Sequence, residues 1–302
     1  MQVKCENETI ELEEGATGRT LAEKLNKRGP DQSLGVDING IARDLDTPFQ
    51  EGDEVKLIDF NTAEGKELFW HTSAHVLAQA ILRLWPNAKP TIGPPIESGF
   101  YYDFADLHIS DEDFPKIEKE IVAVIKENYK PKRLEFKNKE EALKRFENNP
   151  YKTELINEFD GLISAYEQGE FFDLCRGPHL PALGKIKAFK VTKTSGAYWR
   201  ADREREMLTR VYGISFPDKK MLKEHLFMLE EAKKRDHKVV GPKLDLFSLK
   251  EEAPGIPFIH HKGNIIWNQL LVLLRELLNE ADYIEIKTPQ LMSQNLWETS
   301  GH

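Results

Sequence analysis

The sequence has few cysteines and no long apolar run, and each shortage excludes a class of protein. Its 302 residues contain two cysteines, Cys5 and Cys175, at positions far apart in the chain. Two distant thiols do not make the disulfide framework of a small secreted protein, and no signal peptide is recognisable. No apolar stretch approaches the roughly 20 residues that a membrane-spanning helix needs. We therefore expect a cytoplasmic protein with free thiols and no membrane contact.

Basic residues are also in the minority. Lysine and arginine number 42 against 51 aspartate and glutamate residues, which gives a net charge of -9 at pH 7. A chain with this balance is not an obvious nucleic-acid binder, so any contact with RNA requires a local basic surface. Residues 187–210 offer such a surface, although solvated surface charge is the alternative for each side chain. Its members are Lys187, Lys190, Lys193, Arg200, Arg203, Arg205 and Arg210.

The order of apolar and turn-forming residues predicts an α+β protein. A length of 302 residues and a hydrophobic fraction of 40% suffice for two or three domains with real cores. Residues 1–61 show short strands around one helix, typical of a compact adaptor without chemistry. Residues 62–216 form a second unit of helices and strands, and the charge-rich segment 217–240 predicts a linker helix. Residues 241–302 contain a helix and a predicted strand at Tyr283–Lys287 without a sheet to join, so we expect an incomplete domain.

The first candidate motif is His71-Thr72-Ser73-Ala74-His75. The apolar spacing from Leu68 to Leu82 predicts a helix that begins near Asn61, with Asn61 as its cap. The two histidines are four residues apart and therefore share one helix face. A helical metalloprotease motif needs a glutamate beside the first histidine, and Thr72 in that place excludes this chemistry.

The second candidate motif is Cys175-Arg176-Gly177-Pro178-His179, preceded by Asp173. Phe171–Leu174 predicts a strand that delivers the cysteine and the histidine to a Gly-Pro turn. If folding joins the two motifs, three imidazoles and one thiol meet in a pocket that can bind a metal or activate water. Taken singly, each motif is explained as well by histidine packing and by a buried small apolar cysteine.

Together these fragments resemble the threonyl-tRNA synthetase family, and the resemblance runs along nearly all of the chain. Residues 1–61 resemble the ubiquitin-like TGS domain of that family. The two motifs above and Gly196-Ala197-Tyr198-Trp199-Arg200 resemble its editing domain, which is shared with alanyl-tRNA editing proteins. Five further fragments resemble the start of the class II catalytic domain: Lys234-Arg235-Asp236-His237, Leu244-Asp245-Leu246, Glu251-Glu252-Ala253-Pro254-Gly255, Tyr283-Ile284-Glu285-Ile286-Lys287-Thr288-Pro289 and Leu296-Trp297-Glu298-Thr299-Ser300-Gly301-His302. Among these, the fragment that begins at Tyr283 resembles class II motif 1.

The resemblance implies a domain order. It comprises a small ubiquitin-like β-grasp domain at 1–61, an α+β editing (tRNA second additional) domain at 62–216, a linker helix at 217–240 and the truncated start of a class II antiparallel-sheet catalytic domain at 241–302. Motif 1 belongs to the dimer interface in the family and implies a homodimer of the full-length enzyme. Motifs 2 and 3, the catalytic-domain zinc ligands and the anticodon-binding domain have no counterpart here. The resemblance therefore implies that threonylation, with ATP, Mg and zinc, needs the full-length ligase, and that this segment carries only ester hydrolysis.

The family's editing reaction implies a substrate. Serine lacks one methyl group relative to threonine, a difference worth only about 1–3 kcal/mol in a single binding site. A second site that admits serine and excludes threonine by a clash corrects the error. The resemblance thus implies hydrolysis of seryl-tRNA(Thr) at its ester bond with the terminal adenosine. The expected partners are the tRNA(Thr) acceptor end, serine and threonine.

Eight residues make up the predicted site. The catalytic candidates are His71, His75, Cys175, His179, Asp173 and Lys152, and the candidates for the substrate pocket are Tyr102 and Arg176. We expect the three histidines to hold a water molecule and to move its proton, and the thiol to close the pocket or hold substrate. Asp173 orients a histidine or holds the substrate ammonium group, while the resemblance places Lys152 near the oxyanion or tRNA end and Tyr102 in the pocket wall. For these three residues, surface ion pairing or core packing explains the sequence equally well.

The sequence allows these residues either to bind a metal or to catalyse hydrolysis without one. His71, His75, Cys175 and His179 form a complete tetrahedral set for zinc, which would leave no coordination position for a reactive water. Related alanyl-type editing proteins use zinc at this constellation, whereas we expect metal-free catalysis for the threonyl type. Two further readings of the whole chain are a free-standing trans-editing hydrolase and a non-catalytic module that binds tRNA or a tRNA-like messenger structure.

Overall fold

The computed structural model describes residues 1–5, 8–26, 32–289 and 293–301. They divide into two compact units, Met1–His225 and Leu226–His302. Helices and several sheets alternate along the chain, so the predicted α+β class is confirmed. Among the described residues, none of the helices combines the length and the apolar character that crossing a membrane requires.

The first unit begins with a five-stranded sheet on one helix. Its order is β2-β1-β5-β3-β4, with β1 and β5 parallel and the other neighbours antiparallel. The side chains of Val3, Leu21, Val36 and Val55 are almost fully buried between sheet and helix. The elements are β1 (Gln2–Cys5), β2 (Glu8–Glu11), α1 (Gly18–Lys24), β3 (Gly35–Ile38), β4 (Ile41–Asp44) and β5 (Glu54–Ile58).

A long buried helix, α2 (Ala63–Leu84), follows this sheet and carries the first candidate motif. The predicted cap was wrong by one residue, because the side chain of Thr62, and not of Asn61, accepts the Gly65 N–H at 3.0 Å. Gly65 lies so close to the carbonyl of Asp59 that a Cβ there would overlap the oxygen. Apolar residues surround most of α2, so the helix forms the centre of the largest core.

The second sheet packs against α2 and is antiparallel throughout. Its order is β12-β13-β8-β6, with the short strand β7 added to β8. Helix α3 buries Ile117, Ile121 and Val124, which recur at the spacing of one helix face, against the same core. The elements are β6 (Lys89–Pro90), β7 (Pro95–Ile96), β8 (Gly99–Ala105), α3 (Phe114–Glu127), β12 (Ala188–Tyr198) and β13 (Met207–Phe216).

A small third sheet delivers the second candidate motif. It has the antiparallel order β11-β10-β9, and the predicted strand Phe171–Leu174 is confirmed as β11. Cys175 follows directly after this strand, and its backbone N–H donates to the carbonyl of Ser164. The elements are β9 (Lys132–Glu135), α4 (Lys139–Arg145), α5 (Pro150–Glu158), β10 (Ser164–Gln168) and β11 (Phe171–Leu174).

The segment predicted as one linker helix, 217–240, is two helices. Helix α6 spans Lys219–Lys234, and α7 (His237–Lys243) begins after Asp236, whose side chain accepts the Lys238 N–H. The aspartate caps a new helix because its extended backbone, with ψ 127°, cannot continue α6. The predicted role of this segment as a linker remains a prediction.

The remainder of the second unit contains few regular elements. Its elements are β14 (Phe247–Ser248), β15 (Phe258–Ile259), α8 (His261–Glu280) and α9 (Gln294–Ser300). The predicted strand at Tyr283–Lys287 was wrong, since these residues adopt no regular structure and Ile284 is 87% exposed. A strand needs a hydrogen-bonded neighbour, and the described part of this unit supplies none for it. Residue His302 of the last quoted fragment lies outside the described residues.

Candidate functional site

The two candidate motifs meet in the first unit. Helix α2 presents His71 and His75 on one face, and the loop after β11 brings Cys175 and His179 against them. One nitrogen or sulfur atom from each of the four side chains lies within 4.8 Å of the others. The ring centroids of His71 and His75 are 4.6 and 4.5 Å from that of His179. Folding therefore gathers three imidazoles and a thiol at one point.

The sulfur of Cys175 is the junction of this cluster. Its Sγ lies 3.2 Å from His71 Nε2 and 3.1 Å from His179 Nε2, and it accepts the Gly177 N–H at 3.2 Å. Burial raises the pKa of the Cys175 thiol to about 12. Without a metal the cysteine is therefore a neutral thiol at neutral pH and is not poised as a nucleophile.

A chain of hydrogen bonds extends from the thiol to the helix backbone. His179 Nδ1 lies 3.1 Å from Thr72 Oγ1, which also accepts the Leu180 N–H at 2.9 Å. The threonine hydroxyl donates either to His179 or to the carbonyl one turn earlier in its own helix. Protons along Thr72, His179, Cys175 and His71 can accordingly be arranged in either direction with every group satisfied. Such a reversible chain suits proton transfer.

Burial keeps the three histidines neutral. It lowers the pKa of His71 to about 4, with a further contribution from the nearby Lys152 ammonium. Burial also holds the pKa of His75 and of His179 well below 6.5, and the neighbouring imidazoles add to the shift. Each ring therefore offers a lone pair at neutral pH. His75 Nδ1 is buried and has no hydrogen-bond partner among the described residues.

A buried ion pair lies beside the histidines. Lys152 Nζ is 2.5 Å from Asp173 Oδ1, and the hydroxyl of Tyr102 donates to Asp173 Oδ2. Both charged side chains are less than 5% exposed. Asn149 caps α5 and accepts the Lys152 N–H, which fixes the start of the helix that carries the lysine. His75 Nε2 is 3.7 Å from Asp173 Oδ2, too far for a hydrogen bond, so the carboxylate is engaged mainly by Lys152 and Tyr102.

These side chains line a cavity of about 730 Å³. Of the eight predicted site residues, all except His179 contribute to its wall, and His179 reaches it through the sulfur of Cys175. The ring of Tyr102 lies against Gly93, where a Cβ would approach the ring to 2.2 Å. A cavity of this size fits a small ligand or the end of a larger one.

The four clustered side chains could hold a metal ion. Histidine nitrogen and cysteine sulfur both bind zinc in tetrahedral sites, so the four residues fit that ion chemically. The thiol would have to lose its proton for this, since thiolate is the ligand form.

Sequence reasoning missed several residues that hold the site. In the sequence, Thr72 serves only to exclude a metalloprotease, although its place beside His71 on a buried helix is a signal that it contacts the site. Asp44 accepts the backbone N–H of His179 at 2.8 Å, and Tyr166 lies against the His179 ring. No local pattern links Asp44 to a residue 135 positions away.

The predicted basic surface is largely neutralised by ion pairs. Lys190 pairs with Glu118, Arg210 with the buried Asp103, and both Arg200 and Arg205 bind Glu154. Lys193 lies over an aromatic ring, 4.4 Å from the centroid of Tyr212. Of the seven predicted residues, only Lys187 and Arg203 have no such contact within the described chain.

A second cavity in the same unit collects unpaired basic side chains. It has a volume of about 720 Å³, and no acidic residue occurs among the described residues that line it. Arg19 is paired outside it with Asp46, whereas the five lysines have no ion-pair partner in the described part of the chain. We name this cavity the basic cleft; its cationic residues are Arg19, Lys126, Lys130, Lys185, Lys187 and Lys219.

Comparison with known proteins gives two results. Residues 163–212 match the family model described as the threonyl and alanyl tRNA synthetase second additional domain. The whole chain is 64% identical to a threonine--tRNA ligase of Protochlamydia amoebophila (strain UWE25), of which it covers 47%, and 54% identical to one of Chlamydia felis (strain Fe/C-56), of which it covers 48%. Over 97% of its length it is 49% identical to a threonine--tRNA ligase of Desulfatibacillum aliphaticivorans, of which it covers 46%.

The chain thus spans about half the length of the curated relatives it matches. The family match begins just before β10 and ends within β13, and it includes the loop of Cys175 and His179. Over its whole length the chain is similar to threonine--tRNA ligases, and its residues 163–212 match the additional domain that threonyl and alanyl tRNA synthetases share.

Proposed function

We propose that this chain is a portion of a threonine--tRNA ligase and that its cavity hydrolyses the ester of seryl-tRNA(Thr). The observation that carries the proposal is the meeting of three neutral imidazoles, a thiol and a buried lysine at one cavity. Similarity to threonine--tRNA ligases supplies the substrate class. ATP-dependent threonylation and a dimer through motif 1 belong to the full-length ligase in this proposal.

The histidines supply the base. A water molecule between His71 and His75 gives its proton to a neutral imidazole as its oxygen attacks the ester carbonyl carbon. Lone pairs are available there because burial keeps both rings neutral at neutral pH before the reaction. The bond from carbon to the ribose oxygen of the terminal adenosine then breaks, and that oxygen takes up the proton. The chain through Cys175, His179 and Thr72 redistributes protons between these steps.

Lys152 supplies the positive charge. Its ammonium group is held by Asp173 and lies 3.3 Å from the Tyr102 hydroxyl, so its position is fixed before substrate enters. A preorganised cation in a cavity sheltered from water stabilises the oxyanion that develops on the ester carbonyl. Asp173 acts in this proposal by holding Lys152 in place.

The cavity wall supplies the selection between serine and threonine. The ring of Tyr102 is fixed by Gly93 on one side and by its hydrogen bond to Asp173 on the other. A rigid wall rejects an added methyl group by a clash, whereas a pocket that binds through apolar contact alone discriminates weakly.

The reaction is proposed to proceed without a metal. If zinc were bound by His71, His75, Cys175 and His179, it would brace the four side chains as a structural centre and use the lone pairs assigned here to water.

The test is a deacylation assay with seryl-tRNA(Thr) and threonyl-tRNA(Thr). The wild-type chain should cleave the seryl ester only, and treatment with a chelator should leave the rate unchanged. His71→Ala and His75→Ala should lose about 100-fold or more in rate, as expected when a general base is removed, while RNA binding persists.

Three results would count against the proposal. Normal cleavage by both histidine variants would show that these histidines do not form the hydrolytic site. Absence of cleavage by wild-type chain that binds tRNA would favour an RNA-binding module, for which the basic cleft provides a surface. One tightly held zinc per chain, whose removal abolishes cleavage, would overturn the metal-free reaction.

A further inference from the structure

The first sheet contributes a carboxylate to the loop that carries the site. Asp44 is the last residue of β4 and is half-buried. Its Oδ1 accepts the backbone N–H of His179 at 2.8 Å, and its Oδ2 accepts the hydroxyl of Tyr166 at 2.7 Å. Both carboxylate oxygens of Asp44 therefore accept a hydrogen bond. One bond holds the loop of His179, and the other holds Tyr166 beside that loop.

Tyr166 transmits this contact to the imidazole ring. The tyrosine belongs to β10 and is 1% exposed. Its ring lies 4.3 Å from the ring of His179, centroid to centroid. Its hydroxyl also fills the space beside Gly177, where a Cβ would approach the oxygen to 2.1 Å. The tyrosine thus supports the loop at two points, and Asp44 fixes the tyrosine.

His179 is consequently held from three directions. Asp44 binds its backbone, Thr72 binds Nδ1, and the ring of Tyr166 covers one face. Only Nε2 remains, and it is directed at the sulfur of Cys175 at 3.1 Å. A displacement of about 1 Å at such a position can cost 100-fold in rate.

We propose that Asp44 is a positioning residue for the hydrolytic site, acting through Tyr166 and the backbone of His179. This inference rests on the proposed function. It gives the segment 1–61, for which the sequence indicated an adaptor without chemistry, a part in the reaction. Asp44 does not line the cavity, so its proposed role is exerted through the residues that it binds.

The experiment compares single-turnover cleavage of seryl-tRNA(Thr) by Asp44→Ala, Asp44→Asn and wild-type chain. Asp44→Ala should lower the rate at saturating chain about 10- to 100-fold, with little change in the concentration needed for half-saturation. Asp44→Asn keeps an oxygen that accepts the His179 N–H and has an amide NH2 that can donate to the Tyr166 hydroxyl oxygen, so it should recover most of the loss. In ¹⁵N spectra of labelled histidine, the ring signals of His179 should change in Asp44→Ala and return in Asp44→Asn.

Asp53→Ala is the matched control. Asp53 also accepts two hydrogen bonds in the first sheet, from Asn39 and from the backbone of Gln50, but it makes no contact with the site. It should lower the melting temperature without changing the cleavage rate of the folded chain.

Other outcomes separate the inference from the function on which it rests. If His71→Ala abolishes cleavage while Asp44→Ala cleaves normally, the positioning role is wrong and the hydrolytic site stands. If His71→Ala cleaves normally, the hydrolytic site itself has failed. If Asp44→Ala does not fold, Asp44→Asn and Tyr166→Phe decide. A near-normal cleavage rate for Asp44→Asn together with a several-fold lower rate for Tyr166→Phe supports the inference. Equal cleavage rates for the two variants refute it.

Discussion

At the scale of single residues, the site depends on buried polar groups that satisfy one another. The sulfur of Cys175 and the hydroxyl of Thr72 link rings that burial has made neutral. An unpaired polar group in such a place costs ~1–3 kcal/mol, so each member of the chain depends on its neighbours. The arrangement is therefore sensitive to changes that preserve shape and remove one polar atom.

Thr72→Val makes that change. Valine has nearly the shape of threonine but leaves the Leu180 N–H without its acceptor and His179 Nδ1 without its partner. We expect the free energy of unfolding to fall by ~1–3 kcal/mol and cleavage of seryl-tRNA(Thr) to fall about tenfold. Denaturant unfolding and single-turnover assays measure the two effects.

Two further variants serve as controls for Thr72→Val. Thr72→Ser retains the hydroxyl and should restore cleavage. Ser73→Ala removes the next hydroxyl in the same buried helix, which pairs with Ser215 away from the cavity, and should affect stability alone. Equal cleavage by Thr72→Val and by wild-type chain would show that the hydroxyl takes no part.

At the scale of elements, the sequence predicted those parts whose cause is local. The helix of His71 and His75 follows from apolar spacing, and strand Phe171–Leu174 follows from its residue types. Strand Tyr283–Lys287 failed because a strand also needs a neighbour, which no local pattern can supply. The break at Asp236 was a missed capping residue and lay within reach of the sequence.

The site itself was predictable only in part for the same reason. The four clustered residues came from two motifs whose spacing and resemblance are visible in the sequence. Asp44 and the ion pairs of Arg200, Arg205 and Arg210 depend on contacts between distant elements. A row of basic residues in sequence therefore predicted a free basic surface that folding neutralises.

One of these ion pairs makes an element sensitive to pH. Glu154 on α5 binds Arg205 through both oxygens, and this contact lowers the pKa of Glu154 to about 2. The unfolded chain therefore takes up a proton at a higher pH than the folded chain does. The stabilisation is complete above about pH 5 and is lost as the pH falls from the ordinary glutamate pKa, about 4.3, toward 2.

Glu154→Gln should remove this part of the pH dependence. Because solvent screens this partly exposed pair, we expect it to contribute ~1 kcal/mol above pH 5, which lowers the melting temperature of a domain of 150–250 residues by about 2–4 °C when it is removed. The difference should shrink as the pH falls from about 4.3 toward 2 and vanish below that range. Melting curves between pH 2 and pH 7 provide the measurement, and a constant difference over that range would contradict the assignment.

At the scale of the whole molecule, a chain of net charge -9 concentrates unpaired lysines at one place. The basic cleft is lined by residues of α1, of α3 and of the loop that continues from His179 to Lys187. The five lysines there have no ion-pair partner among the described residues, and burial together with Arg19 and Lys187 lowers the pKa of Lys185. Such a cleft suits a polyanion, and we propose that it contacts the phosphate backbone of the bound tRNA.

Charge reversal within the cleft tests that contact. Lys185→Glu and Lys187→Glu should each weaken binding of tRNA(Thr) and reduce the slope of log affinity against log salt by about 1, because each lost phosphate contact releases one counterion fewer. Lys193→Glu changes the chain's charge equally but alters a side chain that lies over Tyr212 outside the cleft, and it should leave the slope unchanged. Binding is measured by titration between 50 and 200 mM salt, roughly the range in which such contacts dominate. An equal loss in all three variants would assign the effect to net charge and refute a role for the cleft.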